Sequence, residues 1–474
     1  MNRIYRVIWS QVKHCYIVVS ELTKSCTRDN SSKRSYKKNT IALCISLLCS
    51  SIGVVGASDT TVGSGTGVAY GTGSSAPKAE NVAIGKGATI SYSNGASAAT
   101  GDVVIGNAAK TDNYSSQGGG IAIGSGAFSE NMTFTEEQRF NFNQTTFTGS
   151  GFFIPADPTK VVTGIAIGQN SYARSGSIML GTHNYKGEIA DTTVDTSSVA
   201  SMRAHDVSVN ATTVGVNSFN NSAFGVVNGA YSAITGAITV PYDGESYRLN
   251  ASQNFGATIT GSLNSIESKT DTSNYSGLGS SIIGVANREF NANGALIFGA
   301  GNEITNSVTN VSAYTSGANS PKKLQTTLMT AIKEAEGGGS TMIIGGGNKA
   351  DYTQKTQITG VNNTITGTRG NLANLNYVSG FKNTVTNASN NIVMGNEYTV
   401  TANNTVAIGG LSNAGTRSVA NTTSIGYDTK VSVADGVALG YKSNASVDKG
   451  AVGYDLATGT TSTETNSTWK STAA

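Results

Sequence analysis

The sequence predicts an all-β fold, a parallel β-roll in which one short coil is stacked many times. Three observations predict it. A short apolar run that stops at glycine recurs along the chain, and between Thr422 and Asp455 it appears as SIG, VALG and AVG, ending at Gly426, Gly440 and Gly453. A second apolar run of alternating pattern follows each glycine. The composition is rich in glycine (58 residues) and poor in proline (5), charge (13%) and aromatics (7%), which suits many short strands joined by tight turns rather than helices around a thick core.

The first strand of the unit reads TVAIG ending at Gly409, NIVMG at Gly395, NYVSG at Gly380, TQITG at Gly360 and TMIIG at Gly345. Earlier copies are ALIFG at Gly299, SSIIG at Gly284, IAIG at Gly168 and Gly124, VVIG at Gly106 and VAIG at Gly85. Spacings of thirteen to fifteen residues between neighbouring units, with longer gaps read as insertions, mark a solenoid. Within the strand, Val406 and Ile408 share one face, because strand side chains alternate. The core is expected to hold rows of Val, Ile and Leu. The small residues between them (Ala83, Ala122, Ala166, Ala407, Ala438) are expected to face other copies of the chain.

The second strand is expected at Lys430–Val433, Asn383–Thr386 and Tyr398–Thr401. The glycine supplies the turn, since it alone takes positive φ without steric cost. An asparagine three residues later (Asn287, Asn302, Asn348, Asn363, Asn383) reads as a second turn marker, tolerant of left-handed geometry, and stacking would align these residues into a ladder.

Four departures from the repeat are expected near 128–160, 182–212, 229–256 and 307–340. The first holds Phe134, Phe140, Phe142, Phe147, Phe152 and Phe153 together with Phe128. It reads either as a hairpin with its own small core or as an apolar contact surface for a partner. In the last, Ser320 can cap a helix, Pro321 suits its first position and Gly337 can end it, with Leu324, Leu328 and Ile332 as a packing stripe. The Gly/Ser-rich stretch 58–80 reads as a linker.

The N-terminus is different in kind. Residues 1–57 carry nine Lys and Arg against two acids, a charge of +7. The rest has 32 − 9 = 23 basic and 29 − 2 = 27 acidic residues, a charge of −4, which gives no reason to expect nucleic-acid binding. All four cysteines (Cys15, Cys26, Cys44, Cys49) lie in this leader. Ile41 to Val55 is an apolar core behind Lys37 and Lys38, and Val55 and Ala57 occupy small-residue cleavage positions. Cleavage after Ala57 is expected, leaving Ser58 as the mature N-terminus.

The opening MNRIYRVIW and the ending VVSELTKS of residues 1–25 resemble the extended signal peptide region of trimeric autotransporter adhesins and other large autotransporters. The IAIG, TVAIG and GVALG units, and the ending GYDLATGTTSTETNSTWKST, resemble the head of YadA-like adhesins over about residues 81–470, loosely between Gly124 and Gly284. That resemblance implies a homotrimer of left-handed parallel β-rolls over 81–456, closed by 457–474. It also implies a location at the cell surface or outer membrane of a diderm bacterium. The partners implied are extracellular matrix proteins such as collagen, or host or bacterial cells. The family's inner NSVAIG-type units are linked to collagen, and Asn404, Thr405 and Val406 begin the nearest match, NTVAIG. No heptads and no final run of amphipathic strands appear, so the membrane anchor is expected outside this chain.

Catalytic residues are not expected. His183 and His205 are the histidines outside the leader, no nucleophile–base or metal-ligand spacing appears, and GVAYGTG and IIGGGNK are not phosphate loops. No cofactor is expected. Two other functions fit parts of the pattern. A left-handed β-helix acyltransferase would need sustained six-residue runs and an active-site histidine. An ice-binding solenoid would need T-x-T pairs such as Thr258/Thr260, Thr384/Thr386 and Thr399/Thr401 in nearly every coil.

Overall fold

A computed structural model describes residues 5–10, 15–20, 62–92, 101–113, 118–131, 141–142, 145–146, 164–173, 176–184, 210–220, 222–235, 238–239, 248–249, 254–268, 276–312, 321–448, 454–455 and 459–461. The chain divides into two units, Met1–Ser58 and Asp59–Ala474. In the first, strands Tyr5–Ser10 and Cys15–Ser20 pair antiparallel, from Tyr5 opposite Ser20 to Ser10 opposite Cys15.

The second unit is a parallel β-roll. The strands that end at the repeated glycines form one ladder of eighteen, the glycine sheet, from Val68–Tyr70 to Val437–Leu439. Each strand pairs with the one before and the one after it along the chain. The order continues unbroken through the C-terminal half. No register among the described residues joins the first strand to the last, so the ladder is a ribbon and not a barrel. The following strands form a return sheet. It has six strands from Ser64–Gly65 to Tyr172–Ala173, ten from Phe219–Asn220 to Gly415–Arg417, and a final pair, Lys430–Val431 with Asn444–Ala445.

The roll starts earlier than the sequence suggested. Val68–Tyr70 is its first rung, inside the 58–80 stretch that composition reads as a linker. It also persists where the glycine signature is weak. Ile178–Thr182, Thr212–Val216, Val226–Asn228 and Thr258–Ser262 are ordinary rungs, and Phe128–Asn131 and Ala233–Thr235 belong to the return sheet.

The burial pattern corrects which face is the core. In each glycine-sheet strand the residue two positions before the glycine points inward, while the residues on either side of it point out. Ala83, Ala122, Ala166 and Ala407 are fully buried inside the roll, whereas Val406 and Ile408 lie on its outer face. The small residues therefore permit close approach of the roll's own two sheets, not of other copies. In the middle coils the inward position enlarges to Ile259, Ile282, Ile297, Ile343 and Ile358, packed against Ile234, Ile266, Ile304 and Ile365 of the return sheet.

The asparagine ladder is present, and its mechanism is specific. Asn287, Asn302, Asn348, Asn363 and Asn383 each donate Nδ2–H to Oδ1 of the preceding ladder residue at 2.9–3.0 Å, beginning from Asn264. Each also donates to the carbonyl of the next coil's glycine at 2.7–2.9 Å. The left-handed residue is the one before the ladder position, as at Ala286, Asn362 and Lys382 with φ of 54°, 55° and 51°. The asparagines thus act by satisfying buried backbone groups rather than by tolerating left-handed geometry. Ser218 and Ser232 fill the place upstream, each hydroxyl donating to the next glycine carbonyl at 2.9 Å.

The glycines are required by contact as well as by φ. Gly299 sits at φ 143°, and a Cβ there would overlap the carbonyl oxygen of Gly345 in the next coil. The one helix among the described residues, α1 (Pro321–Glu334), starts at the expected proline. Leu324 and Ala331 are buried, while Leu328 and Ile332 are half-buried. Glu336, at φ 51°, is its left-handed cap, and the Gly337 amide that follows donates to the Ile332 carbonyl at 2.8 Å.

Candidate interaction surface

The outward positions of the glycine sheet line up in two rows, because the parallel registers carry like residue onto like residue. Ile84, Ile105, Ile123 and Ile167 stack in one row, and Val82, Val103, Ile121 and Ile165 in the other. Further along the same rows come Leu296, Phe298, Met342 and Ile344, then Ile392 and Met394. Phe298 is 53% exposed and Leu439 61%. Neither row carries a charged residue at any of the eighteen strands. With strands about 4.8 Å apart, such a ribbon is roughly 80 Å long. At a side-chain width of roughly 10–12 Å its area approaches the ~800 Å² per partner of a stable protein interface.

The return sheet differs. Its outer face carries an ion-pair chain across four coils. Arg288 bridges Glu267 and Glu303, both at 3.0 Å, and Lys349 reaches Glu303 at 3.2 Å. These side chains are partly exposed, and such pairs add little stability. Their value as an observation is the contrast: one sheet face is built for water and the other is not.

Two ionisable groups occupy inward positions of the ten-strand part of the return sheet, where most registers place Ile, Val or Ala. Glu289 lies between Ile266 and Ile304 and is 1% exposed. Its carboxyl oxygens have no hydrogen-bond partner among the described residues. Burial pushes its pKa up to about 8, moderated by the nearby Ser280 hydroxyl. Arg417, which follows Val400 in the same row, is also buried. Its Nη2 donates to the Thr429 carbonyl at 2.7 Å, and the guanidinium lies 5.2 Å from the centre of the Tyr398 ring. Burial lowers its pKa. Another buried acid, Asp102, is better supplied. It accepts from the Gly120 amide at 2.9 Å and from Asn113 Nδ2 at 3.0 Å, and desolvation still lifts it to about 6.

The residues singled out from sequence are scattered. Asn404 is an exposed left-handed turn residue whose amide donates to Asn421 at 2.8 Å, Thr405 is fully buried, and Val406 belongs to the outward apolar row. The three therefore present no common surface. Phe142 lies in a short strand, Asn141–Phe142, paired antiparallel with Thr145–Thr146. Phe134, Phe140, Phe147, Phe152 and Phe153 lie outside the described residues, as do Ala57, Ser58 and His205. Phe128 is part of the roll, its ring 5.2 Å from Tyr172. Thr258/Thr260 sits on the glycine sheet, whereas Thr384/Thr386 and Thr399/Thr401 sit on the return sheet, so these pairs do not form one array. Among the described residues no group of three or more His, Cys, Asp or Glu side chains is placed to hold a metal ion.

Sequence reasoning missed the outward face, because alternation fixes which residues share a face and leaves open which face turns inward. It also missed Glu289 and Arg417. The signal was available only by aligning REF and GTR with the neighbouring SIE, EIT and TVT strands.

Residues 1–50 match the family model described as the Extended Signal Peptide of Type V secretion system. No curated protein gives a significant match to the chain. The leader supports the autotransporter class, and it indicates export by type V secretion, the route by which autotransporters and their adhesin relatives leave the cell.

Proposed function

We propose that this protein is the head of a bacterial surface adhesin, a homotrimer of YadA-like β-rolls that works by binding and not by catalysis. The observation that carries the reading is the uncharged, half-exposed double row of the glycine sheet. A mostly apolar ribbon of that size exceeds the ~300–600 Å² of the largest patch on a typical monomer. Its charged counterpart on the return sheet supplies the face for solvent and partners. Three copies turning their glycine sheets toward a shared axis would bury the rows and leave three return sheets outward. The type V leader supports the route to the cell surface, and the repeated coils would give many equivalent shallow contacts whose strength adds by avidity. Matrix proteins such as collagen, and host or bacterial cells, are the proposed partners. Adhesion is assigned to the exposed coils and to the Phe-rich insertion rather than to Thr405, which is buried.

Light scattering of the exported protein tests the assembly. Three times the mass of the mature chain is expected, and a folded monomer overturns the reading. Replacing Phe298 and Ile344 with Asp should dissociate the assembly, because paired carboxylates would be buried at each copy. A screen of the intact assembly against matrix proteins and cell surfaces then tests adhesion, and failure to bind any of them would remove the adhesin assignment while leaving the assembly standing.

A further inference from the structure

The outward double row is not uniformly apolar. It is interrupted by two polar windows. The first spans the strands around Asn228, Thr258, Thr260 and Ser281, and the second spans Gln357, Thr359 and Ser379. Outside these windows the rows are almost wholly Val, Ile, Leu, Met and aromatic, with single threonines at Thr212 and Thr423. The window residues are surface groups in one chain. Asn228 and Thr260 are exposed, and Gln357, Thr359 and Ser379 are half-exposed.

A repeating apolar face has a particular weakness as an interface. Adjacent strands are about 4.8 Å apart and present nearly the same residues, so two copies can slide by one or two coils and bury nearly the same area. Apolar contact alone does not choose among these registers, because it is non-directional. Polar groups do choose, since each one buried against a methyl group loses its hydrogen bonds to water without replacement.

Resting on the assembly proposed above, we infer that the two windows set the register in which copies of this chain pack, and that their occupant is the same window of another copy. In a symmetric, parallel assembly Asn228 meets Asn228 and Thr260 meets Thr260, so amides and hydroxyls find partners of their own kind. A slip of two coils places Asn228 against Leu180 or Ile283, and Thr260 against Val214 or Phe298. The second window is mismatched by the same slip, with Thr359 facing Phe298 or Met394. Coiled coils use one buried asparagine among apolar positions in the same way, giving up stability to fix alignment.

The chain suits a direct test, because its four cysteines are confined to the leader. In full-length chains with those four replaced by serine, one population carries Ile105→Cys and a tagged population carries either Ile105→Cys or Ile167→Cys. Ile105 and Ile167 lie two strands apart in an uninterrupted apolar stretch away from both windows. With the windows intact, oxidation should yield the same-strand disulfide between copies and only a trace of the 105–167 product. In a windowless chain (Asn228→Val, Thr258→Val, Thr260→Ile, Ser281→Val, Gln357→Val, Thr359→Ile, Ser379→Ile) the 105–167 product should rise to parity. These substitutions are outward and favour strands. If the windowless chain aggregates, two variants that each lose one window should show intermediate rises. Same-strand product alone in every variant overturns the inference and leaves the assembly intact. A monomer with no inter-chain product in the unaltered windows overturns both.

Discussion

Glu289 offers the sharpest physical test of the fold. Its carboxyl enters the core between two isoleucines, where no described residue meets it with a hydrogen bond and only the nearby Ser280 hydroxyl offsets the burial, and its pKa rises from 4.5 to about 8. The folded chain therefore holds the proton more tightly than the unfolded chain. Stability contributed by this group is fully present below about pH 4.5, is lost progressively as pH rises toward 8, and is flat above that. At pH 7 the unfolded chain has shed a proton that the folded chain keeps, over about 2.5 pH units, a cost on the order of 3 kcal/mol. Glu289→Gln removes the titration while keeping the shape. Glu289→Ile continues the row of Ile266 and Ile304 and removes the buried polar group as well. Urea unfolding of wild type and both variants between pH 5 and 9 measures the effect. The wild type should lose stability relative to Glu289→Gln by about 3 kcal/mol from pH 5 to pH 8, and Glu289→Ile should be the most stable of the three at pH 7. Asp102 titrates in all three chains, so the difference curve cancels it. Parallel pH profiles for wild type and Glu289→Gln would refute the burial argument.

Three further outcomes follow from the coil's construction. Asn348→Ala removes the donor to Asn302 and Gly360 and the acceptor for Asn363, leaving buried backbone groups unmet; a loss of about 2–4 kcal/mol in denaturant unfolding is expected. Gly299→Ala puts a methyl group into the carbonyl of Gly345 at a positive φ, and should cost at least about 1–3 kcal/mol by the same measurement, with the neighbouring coils losing amide protection in hydrogen exchange. Arg417→Met removes a buried cation that has no carboxylate partner among the described residues but keeps its packing on Tyr398; thermal unfolding should show a neutral or raised midpoint, whereas Arg417→Ala should lower it by leaving a cavity.

The sequence made the repeat legible because its signals are local. A glycine forced by a carbonyl in the next coil is a demand of one turn and recurs wherever that turn recurs, and from Asn264 to Asn383 an asparagine three residues on accompanies it. The helix was legible for the same reason, through Pro321 and its capping residues. Facing was not legible. Val406, Ala407 and Ile408 alternate in size, but both faces of the strand are apolar, and only the separation of the two sheets shows that alanine fits inside. The coils from Thr212 to Ser262 were hidden because Thr213 and Val227 replace the usual inward alanine or isoleucine without changing the backbone. Glu289 and Arg417 were hidden because their position is defined by registers between strands far apart in the chain.

The two sheets explain each other. A roll with alanine at most inward positions of its first coils buries little apolar surface per coil there, so those coils depend on the stack they join and on whatever covers the outward rows, while from Asn264 to Asn383 the Asn ladder also satisfies the backbone. Interior polar residues such as Glu289 lower it further. The ladder can add one coil at a time, because each asparagine bonds only the coils beside it. The outward rows cannot be satisfied coil by coil in the same way, since they need another copy. The proposed assembly therefore couples the two steps: coils form locally through glycine and asparagine, and the finished apolar ribbon is then buried as a unit. On that account, variants of the ladder should slow or weaken coil formation in a monomer and an assembly alike. Charges in the outward rows should leave the coil intact and abolish only association. Circular dichroism and light scattering on Asn348→Ala and on the Phe298→Asp, Ile344→Asp chain separate the two. Loss of strand signal in the charged-row chain at conditions where it is monomeric would show that the coil does not stand without its partner, and the two steps would then be one.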